Sequence, residues 1–359
     1  MKREIGSDFW DMPVSEKSEQ FAISGIPSAW SYTFFVSGRS AIYAAAKQIE
    51  KRSGIVLMPY YTCETISDAF LKAGYSLVRY SVRKDLSFDT GAVLQLLKQY
   101  NPDILFVQGY FGFDTTLDPE IISETAHQNG AVLMEDLTHS LFSEIPRTDA
   151  DIFISSLRKF FGIPDGGFAV AKNPISAKDG EARQKLDMAA DKAFSLKAAY
   201  ISDLNNDQKQ EFLDSFSDLK HLIADSDEEY RISDAAAEQL NYLNKKYIIE
   251  KRRDNFVRLH QGLSKLSWIE PLREKLLPTE TPLFYPVYVP TELRNSIRSY
   301  FAANEVYLPV IWPKDHTLQT SDAAGDEIYG RILCFPCDQR YDADDMYRVI
   351  RLGNAFLGE

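Results

Sequence analysis

Six short apolar runs alternate with helical stretches through the first half of this chain, and that rhythm limits the fold more than any other feature. The runs are Ile55-Val56-Leu57-Met58, Ser76 to Tyr80, Ile104 to Val107, Ala131 to Met134, Asp151 to Ile154 and Gly167 to Ala171. Helical stretches fall around 40–51, 64–73, 90–100 and 117–129. Strands that are apolar at every position are buried on both faces. Joined by helices, they predict an α/β fold with a mostly parallel sheet covered on both sides. Ligands of such sheets sit outside the carboxyl ends of the strands.

The second half is organised differently. Residues 180–225 are heavily charged and rich in Ala, Leu and Lys, which predicts a solvated helical insertion. One long helix is expected over 234–262. A small α+β unit follows, with a strand at Leu283 to Val289, a helix around 291–303, a strand at Val306 to Trp312 and a last helix around 342–356. The expected division is a large domain over 1–250, carrying the insertion, and a small C-terminal domain over 251–359.

A net charge of −12 leaves no surplus of Lys and Arg for nucleic acid or an anionic membrane. No run approaches the roughly 18 apolar residues of a membrane span. Met1 to Asp8 lacks an apolar signal core, and three cysteines are too few for a disulfide framework. A cytoplasmic protein is expected. Cys334-Phe335-Pro336-Cys337 is formally a C-x-x-C, but a tetrahedral zinc needs two further ligands and there is no second cysteine pair. A structural role is expected, and no metal.

The candidate chemistry lies at two strand ends. Lys159 follows the run Asp151 to Ile154, in a turn that closes on Asp165-Gly166-Gly167. Asp136 ends the preceding run. A lysine amine can hold an aldehyde cofactor covalently, and desolvation beside positive charge such as Arg158 lowers its pKa. A carboxylate can pair with a protonated ring nitrogen at the cofactor's other end. Pyridoxal phosphate (PLP) has both features. Ser37-Gly38-Arg39-Ser40 opens a helix whose free N–H groups and dipole suit a phosphate. His139, three residues past Asp136, suits the cofactor ring or its phenolic oxygen.

That ordered set resembles the fold-type I PLP enzymes, and among them the DegT/StrS-type sugar-nucleotide aminotransferases. The matching segments are Ser37 to Ala41, Pro59 to Cys63, Glu135 to His139, and Ser156, Lys159 and Gly166-Gly167. The resemblance implies a PLP-dependent transferase fold with a seven-stranded, mostly parallel sheet and a small C-terminal domain. It implies Lys159 as the covalent anchor of PLP, Asp136 as partner of the pyridine nitrogen and His139 near the ring oxygen. Gly38, Arg39 and Ser40 would cradle the phosphate with Ser156 or Ser155. Where the family stacks an aromatic on the ring, this chain has Cys63, which passes that role to Tyr61 or Tyr60. Where the family has an asparagine that reaches the neighbouring subunit's phosphate, this chain has Glu229, whose charge would repel a phosphate. The implied activity is transamination from an amino donor to a keto sugar on a nucleotide carrier. A homodimer with its site at the subunit interface is implied too. A PLP enzyme of another reaction type, or a PLP-fold binding protein without turnover, are the competing readings.

Overall fold

The structure is a computed structural model that describes residues 4–10, 21–179, 182–203, 206–225 and 229–357. Its first half runs β1 (Ser31–Phe35), α1 (Gly38–Gln48), β2 (Ile55–Pro59), α2 (Glu64–Lys72), β3 (Ser76–Tyr80), α3 (Thr90–Tyr100), β4 (Ile104–Gln108), α4 (Pro119–Gln128), β5 (Val132–Asp136), β6 (Ile152–Ser156) and β7 (Gly167–Ala171). These strands form one seven-stranded sheet in the order β1-β7-β6-β5-β4-β2-β3. Strands β3, β2, β4, β5 and β6 are parallel, while β7 runs antiparallel to both β6 and β1. β1 carries no continuous apolar run. It is an edge strand with most side chains half-buried, so its pattern gives a weak signal.

The pleat divides the core in two. Leu57, Leu105, Val107 and Leu133 face one side; Val56, Met58, Ile104, Phe106 and Met134 face the other, under α1 and α2. Buried on both faces, these strands leave polar groups only at their ends, where Gln108, Asp136 and Ser156 stand.

The expected helical insertion is present as α5 (Ala182–Asp203) and α6 (Asn206–Asp225), but it is more than a solvated appendage. Leu186, Phe194, Tyr200, Phe212, Phe216 and Ile223 form a separate apolar cluster with Val36. Most charge lies on the outer faces, with Lys197 the exception, buried over the Phe212 and Phe216 rings. The segment of residues 4–10 lies against this pair of helices. Glu4 accepts from Lys209 at 2.7 Å, Lys197 donates to Ser7 Oγ at 2.6 Å, and Lys220 pairs with Asp8 at 2.7 Å.

The single helix expected over 234–262 is broken. α7 (Asp234–Gln239) passes through a 3-10 turn at Leu240–Tyr242 before α8 (Lys245–Leu263) begins. Asn244 makes the break by capping α8, its side chain accepting from Tyr247 N at 2.9 Å. The boundary expected after residue 250 falls inside α8. Next come β8 (Glu270–Pro271), β9 (Tyr285–Tyr288), α9 (Thr291–Ala303), α10 (Ala323–Arg331), β10 (Ile332–Phe335) and α11 (Ala343–Ala355). A three-stranded antiparallel sheet, β10-β9-β8, stands where two strands were expected. The strand predicted at Val306 to Trp312 is absent: only Val306 bridges, to Ile5, and Pro309 cannot donate to a ladder. β10 takes that place and carries Cys334, with Cys337 just beyond; both thiols are buried. No group of three metal-ligating side chains, and no helix long and apolar enough to cross a membrane, occurs among the described residues.

Candidate active site

β5 and β6 are parallel neighbours, so their carboxyl ends bring Asp136 and Ser156 to the same edge. The pleat sends Glu135 and Asp136 apart. Glu135 accepts from Thr148 N at 2.9 Å and Thr148 Oγ1 at 2.6 Å, and it anchors the following loop. Asp136 borders a cavity of about 240 Å³. Ser37, Gly38, Arg39, Cys63, His139, Ser156 and Lys159 border the same cavity, so the dispersed motifs do converge.

Lys159 ends a 3-10 turn, Leu157–Lys159, that starts where β6 stops. The returning loop is held from both sides. Asp165 accepts from Ser233 N at 3.2 Å and Ser233 Oγ at 2.7 Å, and Gly166 accepts from Leu157 N at 3.1 Å. Gly166 has φ +139°, a region that favours glycine. Much of the Lys159 side chain is accessible, and it borders both cavities, within a dense surround of protein. That enclosure lowers its pKa, helped by Arg158 and Lys220 and opposed by Cys63 and Asp8.

The N-terminus of α1 closes the far end. Ser37 caps it: its Oγ accepts from Ser40 N at 3.1 Å and lies 2.9 Å from Ser40 Oγ. The cap uses the Ser40 N–H, which leaves those of Gly38 and Arg39 for a ligand. Ser40 itself does not border the cavity. The Arg39 side chain turns to α6, where Nη2 donates to Ile223 O at 3.3 Å. Side chains are excluded here: a Cβ on Gly38 would stand 3.0 Å from Ser156 Cβ, and one on Gly167 2.4 Å from Gly38 N. Of the two candidate serines, Ser156 borders the cavity; Ser155 is fully buried on the opposite pleat with an unpartnered Oγ.

Asp136 accepts from Thr138 N at 2.8 Å, and Thr138 Oγ1 accepts from Ser156 N at 2.9 Å, a bridge between the two strand ends. Burial pushes the Asp136 carboxyl up to about 6 despite the Thr138 hydrogen bonds. A cationic ring nitrogen beside it would reverse that shift. His139 accepts from Phe111 N through Nδ1 at 3.3 Å, which leaves its proton on Nε2. Burial, with the charge of Lys159, pulls its pKa down to about 3, so the ring is neutral.

Tyr61 lies behind the cavity wall. It is fully buried and packs on Tyr110, Tyr329 and Trp312, with centroids 5.6, 4.9 and 5.2 Å away. Tyr60 is buried too, its hydroxyl donating to Asp326 at 2.9 Å. The aromatic that does border the cavity is Trp312, stacked on His139 at 5.0 Å and 23°. Thr138, Gln108 and Trp312 are cavity residues that the sequence reading missed. Gln108 had a usable signal, since it ends an apolar strand as Asp136 does. Trp312 had none, because it arrives from the C-terminal region. Glu229 borders neither cavity; it pairs with Lys47 at 3.0 Å and Lys178 at 3.1 Å.

A second cavity, of about 560 Å³, opens on the other side of Lys159 and shares Ser156 and Arg158 with the first. Residues 6–9, Phe194 and Phe216 of the insertion, and Arg252 and Arg298 help to line it.

No protein-family model matches this sequence, and a search of the curated proteins finds no match. Solved structures do match. PseC from Helicobacter pylori, an aminotransferase involved in the biosynthesis of pseudoaminic acid, is 12% identical; it covers 99% of this chain and 100% of its own, with a TM-score of 0.71. The sugar aminotransferase CalS13 from Micromonospora echinospora is 12% identical over 90% of this chain and 87% of its own, with a TM-score of 0.62. NtdA from Bacillus subtilis, solved with bound cofactor PMP, is 16% identical over 91% of this chain and 73% of its own, with a TM-score of 0.62. The chain therefore has the fold of the type I PLP aminotransferases, with the large sheet and small C-terminal unit that the sequence predicted.

Proposed function

We propose that this protein is a PLP-dependent aminotransferase that moves an amine from an amino acid to a keto sugar on a nucleotide carrier. One observation carries the reading. Lys159, Asp136 and the N-terminus of α1, where Gly38 leaves the backbone open, border one cavity of about 240 Å³. A ring with an aldehyde, a basic nitrogen and a phosphate needs those three groups at three different sides. PLP fits the donor set: the backbone N–H groups of Gly38 and Arg39 and the Ser156 hydroxyl would take its phosphate, and Asp136 its ring nitrogen. Bound there, PLP supplies the electron sink for the substrate's α-carbon. Lys159 holds the cofactor and then serves as general acid and base, a role its lowered pKa suits. Asp136 keeps the ring nitrogen protonated. Neutral His139 offers Nε2–H as a donor without adding charge. Cys63 and Trp312 flank the space for the ring.

The fold of the matching aminotransferases supports the reaction class, and CalS13 supports a sugar acceptor. The rival reading without turnover rests on Glu229 and Cys63; Glu229 is held by Lys47 and Lys178 away from the site, while Cys63 borders it. The reading also includes a homodimer and a cytoplasmic location. Three free thiols, two of them buried, suit a reducing compartment. The deciding experiment is a visible absorbance spectrum of the protein with added PLP. A band of lysine-bound cofactor that disappears in Lys159→Ala, together with conversion of PLP by an amino donor, supports the proposal. A wild-type protein without that band sinks it.

A further inference from the structure

Trp312 borders the smaller cavity, yet it belongs to no helix or strand. It lies in the connection between α9 and α10 and is 8% exposed. His139 packs on both the Trp312 and the Phe111 rings, with centroids 5.0 and 5.2 Å away. A side chain on irregular backbone has no ladder or helix to aim it, so its aim must come from elsewhere.

It comes from a buried polar cluster three residues on. Arg79, on β3, donates through Nη2 to Asp315 Oδ2 at 2.9 Å, with side chains 9% and 0% exposed. The same nitrogen reaches Ser67 Oγ at 2.7 Å and Thr317 Oγ1 at 2.8 Å, and Nη1 donates to Pro59 O at 3.2 Å. Asp315 also accepts from Ser67 Oγ, and from Thr317 N and Oγ1 at 2.8 Å each. Desolvating two charges costs about as much as their attraction gains, so such a pair adds little stability. What it supplies is register. A carboxylate ringed by donors from β3, α2 and its own loop fits in one place only. Ser67 lies on α2, whose N-cap is Cys63, itself a residue of the cavity. The His316 ring nitrogens lie 3.4 Å from Glu64 and 3.5 Å from Asp68 on that helix. The loop that carries Trp312 is thus seated on the helix that starts at the cavity.

We propose that Arg79 and Asp315 are positioning residues: their ion pair, across 236 positions of sequence, holds Trp312 against His139 and so sets the aromatic wall that Cys63 does not supply. This rests on the reading of the smaller cavity as the PLP site. Neither Arg79 nor Asp315 borders that cavity, so their influence on it passes through Trp312.

The test is a double-mutant cycle between Asp315→Asn and Trp312→Leu, read on PLP affinity and on the visible circular dichroism of the bound cofactor. Trp312→Leu should weaken PLP about three- to tenfold, the size of one aromatic contact, and reduce the dichroism of the band. Asp315→Asn should act in the same direction, to no greater extent. In Trp312→Leu protein it should change neither quantity. Asn leaves Arg79 buried without its counter-charge, a change that can unfold a protein. The second variant therefore replaces the pair by apolar side chains, Arg79→Met with Asp315→Leu, an exchange that buried pairs often tolerate. It should melt within a few degrees of the wild type and still lose the dichroism.

A further readout needs no cofactor. In PLP-free protein, the fluorescence that Trp312→Leu removes should be quenched by acrylamide more strongly in both pair variants than in the wild type. Additive losses in the cycle, unchanged quenching in both pair variants, or unaltered PLP affinity and dichroism in Trp312→Leu each overturns the proposal. If the visible band of lysine-bound PLP never forms in the wild type, the cofactor reading has failed instead. The quenching then still decides whether the pair holds Trp312.

Discussion

The two cavities that meet at Lys159 are built on opposite plans. The smaller is made of strand ends and one helix N-terminus, nearly all from residues 37–159. The larger is assembled from residues 6–9, the insertion, α8, α9 and the loop around Asp338. The first is a product of sheet topology, since parallel neighbours deliver their carboxyl ends to one edge whatever the loops do. The second is a product of packing between distant segments. The smaller cavity pairs a lysine with a carboxylate, and the larger gathers guanidinium groups.

Lys159→Ala is the variant that breaks both plans at once. It should abolish the visible cofactor band and lower single-turnover rates with an amino donor by about a thousandfold or more, read by stopped-flow absorbance. Asp136→Asn acts on the smaller cavity alone, and its two effects have opposite signs. Single-turnover rates should fall about a hundredfold or more. The cofactor-free protein should become more stable at neutral pH. The Asp136 pKa is raised from 3.8 to about 6, so the fold favours the protonated acid. That contribution is complete below about pH 4 and is lost as pH rises through 6. Removing the buried charge should recover about 2–3 kcal/mol at pH 7, seen in urea melts at pH 5 and pH 7. A variant less stable at pH 7 would mean that the carboxylate already has a cationic partner.

Gly167→Ala tests the cradle. The new Cβ would meet backbone atoms, Gly38 N and Ser37 C, both at 2.4 Å, and neither can swing aside. A loss of about 1–3 kcal/mol of stability and weaker PLP binding are expected, by denaturant melts and cofactor titration. Lys220→Met has the smallest effect and sharpens the contrast. Its pair with Asp8 is about half exposed, so stability should change by less than about 1 kcal/mol. PLP affinity should hold. A loss of PLP affinity would show that the two cavities are not separable.

What the sequence made legible follows the same division. Asp136, Ser156 and Lys159 could be read because a buried strand announces its own end by turning polar. The edge strand β1 could not, since half of its surface faces away from the core. Between Ser155 and Ser156 the pleat sets the position: Ser156 borders the cavity and Ser155 is buried away from it. Cys63 left the ring without its expected aromatic. The side chain that borders that space, Trp312, lies too far along the chain for spacing to reveal it. Arg252 and Arg298 read as ordinary charges on helical faces. Only the packing of α8 and α9 around a common void brings them together.

The short segment of residues 4–10 has a consequence for how the molecule is made. Gly6 donates to the Tyr341 hydroxyl at 2.8 Å across 335 positions of sequence. Ribosomes add about 5–20 residues per second, so this segment waits on the order of tens of seconds for its partner. All seven strands of the large sheet have been synthesised by residue 171. During that interval the nascent chain can set the strand ends around Lys159, and residues 6–9 can meet Lys197 and Lys220 of the insertion but still lack Arg340 and Tyr341. Contacts of such long range also rank among the slowest to form on folding. The arginine-lined chamber is thus the last compartment to be sealed, after the pocket beside it has taken shape.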